Sequence, residues 1–231
     1  MGGPPEETQC SPPEQAHSEI RMPLAEALAA TRTGDIWLFR GTSVADRAIR
    51  LTTNSPVNHV GMAVTLEDLP PLMWHAELGR SLTDVWSGKK HRGAQLHDAQ
   101  EAVLVWAHRY GQRAWLRQLD ASINREQEDA LLRTIARLDG TPFPSMPRLA
   151  SGWVRSRVRG RRTPEKGVDP ETAFCAEIVA MSYAAMGLLP ADRDPSWYDP
   201  GRFWSGDRLP LADGVQLGNE IEVIIPPAPV P

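Results

Sequence analysis

The chain has 231 residues, with 25 basic against 29 acidic side chains, a formal net charge of -4 and a sequence pI near 5.9. Hydrophobic residues make up 41% and charged residues 23%, the balance of a folded domain large enough to bury a core without staples. That charge excludes a dedicated nucleic-acid binder, which carries a strongly basic domain. The N-terminal MGGPPEETQC has neither the basic start nor the apolar run of a signal peptide, and no apolar stretch is long enough to span a bilayer, so the expectation is a cytoplasmic protein. Of the two cysteines, Cys10 falls in a Pro/Glu/Gln-rich leader, which argues against a disulfide with Cys175, and the pair has no metal-ligand spacing.

Residues 1–22 read as a disordered leader, 23–225 as one catalytic domain and 226–231 (PPAPVP) as a short extended tail. Along the domain, Pro23 to Ala30 predicts a short helix. Gly34-Asp35 make a turn into a strand from Ile36 to Phe39. Ser43 to Leu51 has helical spacing, with Val44, Ala48 and Leu51 on one side. Asn58 to Thr65 alternates as a strand, and Leu72 to Leu78 returns as its partner. The apolar VLVWA, Val103 to Ala107, reads as a central strand. Arg125 to Leu138 is an amphipathic helix on Ala130, Leu131, Ile135 and Leu138. Phe174 to Met186 is a second helix, closed by Gly187 with Pro190 beyond, and Glu220 to Ile225 predicts a last strand. Strands and helices alternate without a regular βαβ rhythm, which favours an α+β fold.

Chemistry concentrates on a few side chains. A thiol becomes a useful nucleophile when its pKa is lowered and a base is within hydrogen-bond reach. Cys175, in TAFCAEIVAMSYAAMGLL, is expected in the first turn of its helix, where free N–H groups favour a thiolate and face an oxyanion. His59, in SPVNHVGMAV, starts an alternating strand on which Gly61 and Ala63 share its face and leave room beside the ring. His75 and Glu77, in MWHAEL, lie two apart on the returning strand. Either could reach the second imidazole nitrogen as the third member of a triad.

Together the runs GDIWLFRG, IRLTTNSPVNHVGMAV and FCAEIV resemble the circularly permuted NlpC-type papain-like cysteine hydrolases, the YiiX-like group in particular, and more distantly the lecithin:retinol acyltransferase group. In that pattern a Gly-Asp strand start, a Ser-x-x-His-Val-Gly strand and a Tyr-Cys-Ser-Glu-Leu helix start follow one another, with histidine before cysteine. The resemblance covers roughly Gly34 to Leu189. It implies a papain-like permuted fold, its antiparallel sheet packed against the helix that bears the nucleophile. It further implies Cys175 as nucleophile, His59 as general base, His75 as third member with Glu77 the alternative, and Glu177 in a structural role. Phe174 and Ala176 replace the usual Tyr and Ser, and Phe143, in GTPFPSMP, keeps a ring without its hydroxyl. These departures bear on substrate preference.

His91 and His97, with His75, show no recognised ligand spacing and read as a solvated loop, so neither metal nor cofactor is expected. The basic run Arg155 to Lys166 reads as a solvated loop, or as a flap that attracts anionic head groups beside Trp153. The reading is thus a thiol hydrolase acting on an amide or ester of a small molecule, peptide or acyl lipid, with acyl transfer as a variant. The alternatives are a catalytically idle papain-like binding protein and a peripheral membrane adaptor.

Overall fold

The computed structural model describes residues 20–41, 55–77, 81–141, 170–204 and 209–229, with the side chains of 170–173 excepted. The expected helix at Ser43 to Leu51 lies outside these residues, as do Cys10, Phe143, Trp153 and the run Arg155 to Lys166.

The elements in chain order are β1 (Arg21–Pro23), α1 (Leu24–Ala30), β2 (Ile36–Arg40), β3 (His59–Val64), β4 (Leu72–Glu77), β5 (Gly93–Asp98), α2 (Ala99–Tyr110), β6 (Arg113–Arg117), α3 (Arg125–Leu138), α4 (Pro170–Ala185) and β7 (Ile221–Ile224). The strands form one seven-stranded sheet in the order β1-β7-β6-β2-β3-β4-β5. Only β1 and β7 pair in parallel; every other neighbour pair is antiparallel. The mixed architecture is consistent with the α+β expectation. Arg21 and Met22, assigned to the leader by composition, instead form part of the edge strand β1.

Helices cover both faces. Because strand side chains alternate, residue parity decides which cover each one meets. On one face Leu38, Val60, Met62, Val64, Trp74 and Leu96 pack with Ile178, Val179 and Tyr183 of α4, which in turn is backed by Leu131 and Ile135 of α3. On the other, Trp37, Phe39, Ala63, Met73 and Leu116 pack with Ala27 of α1 and Val103 and Trp106 of α2. All residues of β3 and β4 are buried as a result.

One predicted strand needs correction, and the error has a local cause. VLVWA is helical, the middle of α2. Asp98 accepts a hydrogen bond from the Glu101 N–H as N-cap, and Gly111 at φ 63° ends the helix. A five-residue apolar run cannot by itself distinguish a buried strand from a buried helix. The strands at 93–98 and 113–117 fall where no strand was expected. By contrast Arg125–Leu138 has the predicted bounds, and its start is a capping box between Asn124 and Gln127.

The Gly-Asp start of β2 is a junction. Asp35, fully buried, accepts the Arg32 N–H on Oδ2 and the Leu119 N–H on Oδ1, each at 2.8 Å. Its backbone carbonyl accepts the Ala63 N–H, and the Gly34 N–H donates to the Ala63 carbonyl. Gly34, at φ 93°, also accepts the Tyr183 hydroxyl from α4 on its carbonyl. One dipeptide therefore joins β2, β3, the end of β6 and the helix that carries Cys175. Asp35→Ala leaves two backbone donors without their acceptor and should cost about 2–4 kcal/mol. Urea denaturation checks this: the midpoint should fall with the slope unchanged.

Candidate functional site

The odd-numbered face of β3 carries His59, Gly61 and Ala63. His75 and Glu77 of β4 share that face, as do Gln95 and His97 of β5, through the pairs Met73↔His97 and His75↔Gln95. Gly61 is required by crowding: a Cβ there would stand 2.5 Å from Met73 Sδ and 3.4 Å from His75 Cβ. Trp106 of α2 roofs the row, its ring centroid 5.1 Å from that of His59, 4.6 Å from His75 and 4.7 Å from Phe39.

Within the row, His59 meets His75 edge to face at 5.3 Å between centroids. His75 Nε2 and His97 Nδ1 are 2.8 Å apart, and His97 Nε2 is 3.2 Å from Gln95 Oε1. The amide oxygen can only accept, so His97 Nε2 carries the proton, its Nδ1 is the acceptor, and His75 Nε2–H donates to it. At the end of β4, Glu77 Oε1 accepts the Ser81 hydroxyl at 2.8 Å. Three buried polar atoms in this row have no hydrogen-bond partner: His59 Nε2, His75 Nδ1 and Glu77 Oε2.

Burial sets the charge states. It pushes the His59 pKa down to about 3 and that of His97 down to about 4. His75 is also lowered, first by burial and then by its two histidine neighbours. Burial raises the Glu77 carboxyl, against the pull of Ser81, Trp106 and Arg109. The three imidazoles are therefore neutral at neutral pH, and burial makes each resist protonation. Elsewhere, Glu177 is pushed up to about 7 by burial and by the Asp194 carboxylate.

Cys175 stands apart from this row. Helix α4 begins at Pro170, four residues before the expected start, so Cys175 is in its second turn and not its first. Its N–H thus falls beyond the free donors of a helix start. The cysteine is fully buried in the cluster beneath α4. That helix is tied to the even face by the bond from Trp74 Nε1 to Ser182 Oγ at 3.1 Å. The ring neighbours of His59 (Phe39, His75 and Trp106) are all on the opposite face. The structure thus places His59, His75 and Glu77 on one face of the sheet, and Cys175 in the cluster on the other.

It also adds Gln95 and Trp106, which the sequence reading did not consider, and His97, which it set aside as part of a solvated loop. His97 is not in a solvated loop; it is fully buried in β5. The signal was the alternation in GAQLHD, where Ala94 and Leu96 face one way and Gln95 and His97 the other. His91 lies outside the row, partly exposed, 3.6 Å from Asp84.

The depressed histidines make stability acid-sensitive. Their folded pKa values lie below 6.5, so the unfolded chain takes up protons first as the pH falls. Their contribution is complete above pH 6.5 and is lost as the pH drops towards 4 and then 3. In chelator-containing buffer the melting temperature should therefore fall from pH 7.5 to 5.5. His59→Leu should flatten that fall by up to about 1.4 kcal/mol per pH unit.

No family model and no curated protein matches the chain. Among solved structures it is similar to the metalloprotein YiiX of Escherichia coli O157:H7, at 21% identity and a TM-score of 0.41, over 66% of this chain and 64% of that one. The match thus spans less than two thirds of YiiX, and a superposition of that quality assigns neither a fold family nor an activity.

Proposed function

We propose that the chain is a thiol hydrolase of the permuted papain-like kind, attacking an amide or ester carbonyl with the Cys175 sulfur. His59 takes the thiol proton and later protonates the leaving group, and His75 orients His59. Water, or another acceptor in the transferase variant, then resolves the thioester. The observation that carries this reading is the His59–His75 pair on adjacent strands, with both rings neutral and His59 Nε2 unpartnered. A general base needs a rigid platform, and the strand β3 gives His59 one, with its Nε2 not engaged by another group. The order of the Gly-Asp, His-Val-Gly and Phe-Cys-Ala-Glu segments along the chain supports it independently.

The reading carries a structural requirement. Sulfur and imidazole must meet, so the first turns of α4 must bring the thiol round to the His59 side of β3 in the reactive state. Small-molecule, peptide and acyl-lipid carbonyl compounds all fit the chemistry. The face separation favours a second reading, a binding protein that keeps the fold and the histidine row but does not turn over.

Alkylation of Cys175 as a function of pH, in a Cys10→Ser background, separates the two. A hydrolase should show a thiolate well below the ordinary pKa of about 8.5, and His59→Ala should abolish it. A thiol that alkylates slowly and is indifferent to His59 would end the hydrolase reading and leave the binding protein.

A further inference from the structure

The row holds more than a base and its orienting partner need. His97 and Glu77 complete a second set of ligand atoms around His75. One ligand atom from each of His75, Glu77 and His97 lies within 4.8 Å of the others, and all three residues are buried. Glu77 Oε2 is buried without a hydrogen bond.

We propose that His75, Glu77 and His97 bind one divalent first-row transition-metal ion, zinc for preference. Two imidazole nitrogens and one carboxylate oxygen are the donor set of open zinc sites and of other borderline divalent metals; magnesium and calcium prefer all-oxygen sites. The two facing nitrogens, His75 Nε2 and His97 Nδ1, are 2.8 Å apart, and a small outward movement of the rings admits an ion at about 2.0–2.1 Å from each. The proton count closes without a co-reactant. The proton on His75 Nε2 moves to its unpartnered Nδ1, and the freed lone pair takes the metal. His97 keeps its proton on Nε2, held by Gln95 Oε1, the arrangement by which a supporting residue orients a metal-bound imidazole. Three protein ligands leave a coordination position open for water or a substrate oxygen. This proposal does not need Cys175 and does not rest on the hydrolase reading.

The test uses the full chain, stripped with chelator and titrated with Zn²⁺ against a chromophoric competitor, then with Co²⁺ for its visible spectrum. One equivalent should bind. His97→Gln and Glu77→Gln should each weaken binding by about 100-fold or more, while Cys175→Ser and His91→Ala leave it unchanged. Loss in Cys175→Ser, or a thiolate-to-cobalt charge-transfer band, would place the ion on the cysteine and overturn the proposal. Loss in His91→Ala would shift it to the separate group Asp84, His91 and Asp139, with the same consequence. Absence of stoichiometric binding would also overturn it. If a ligand variant fails to fold, zinc-edge X-ray absorption on the wild type decides. Two imidazoles with further light ligands near 2.0–2.1 Å sustain the site, and sulfur near 2.3 Å removes it.

Discussion

Both faces of the sheet are covered at its centre, and that constraint governs what its polar residues can be. A two-layer sheet would leave one face of β3 and β4 to water, and histidines there would be ordinary solvated side chains. Here α2 closes one face and α4 the other, so every side chain on the two strands is buried. A polar group in that setting must find a partner inside the protein. The histidines of β4 and β5 find each other and the row ends in the amide of Gln95, while His59 of β3 meets His75 only ring to ring. Neutrality follows from the same burial, because a charged imidazole would have no counterion in the row except Glu77.

The covers stay in register because the ends of the strands are clasped by buried polar groups and not by apolar packing alone. Asp35 and Gly34 hold β2, β3, the end of β6 and α4 at one corner. At the same end of β6, Arg117 donates to the carbonyls of Phe203, Leu217 and Gly218, which draws those later segments onto the sheet. Burial lowers the Arg117 pKa, yet Glu220 and the carbonyls hold the guanidinium. Each clasp satisfies its own donors and acceptors, the condition for a buried charge to be tolerated. The histidine row differs: it has three unpartnered atoms and so is not a finished structural network.

How much of this the sequence carried depends on how local each signal was. The amphipathic repeat and the Asn124–Gln127 cap sit within one segment, and α3 was legible to the residue. Alternation in HVGMAV likewise gave β3, and the spacing of His75 and Glu77 gave their common face. VLVWA failed because burial on all sides erases periodicity, although the Asp98 cap and Gly111 were there to be weighed. The strand at 93–98 failed for the opposite reason: its two apolar residues are few, and the preceding SGKKHRG reads as loop. With it went His97, whose role depends on a strand pairing that no local pattern states. The start of α4 was placed late because Phe174 is the first large apolar residue after Pro170 and Thr172, which are weak helix formers.

Parity is the part of the arrangement that motif order does not encode. His-Val-Gly and Phe-Cys-Ala-Glu fix which residues occur and in what sequence, but a strand residue changes face with a register shift of one. In β3 the register is pinned by Phe39↔His59 on one side and Met62↔Trp74 on the other, which commits His59 to the face of Trp106 and leaves the bulky Val60, Met62 and Val64 for α4. Moving His59 to the α4 side within this pairing would force those three under α2, where Gly61 and Ala63 now leave space for Met73 and His75. The histidine row is thus tied to its face by the volumes of its neighbours. Cys175, in the cluster beneath α4, belongs to the other face.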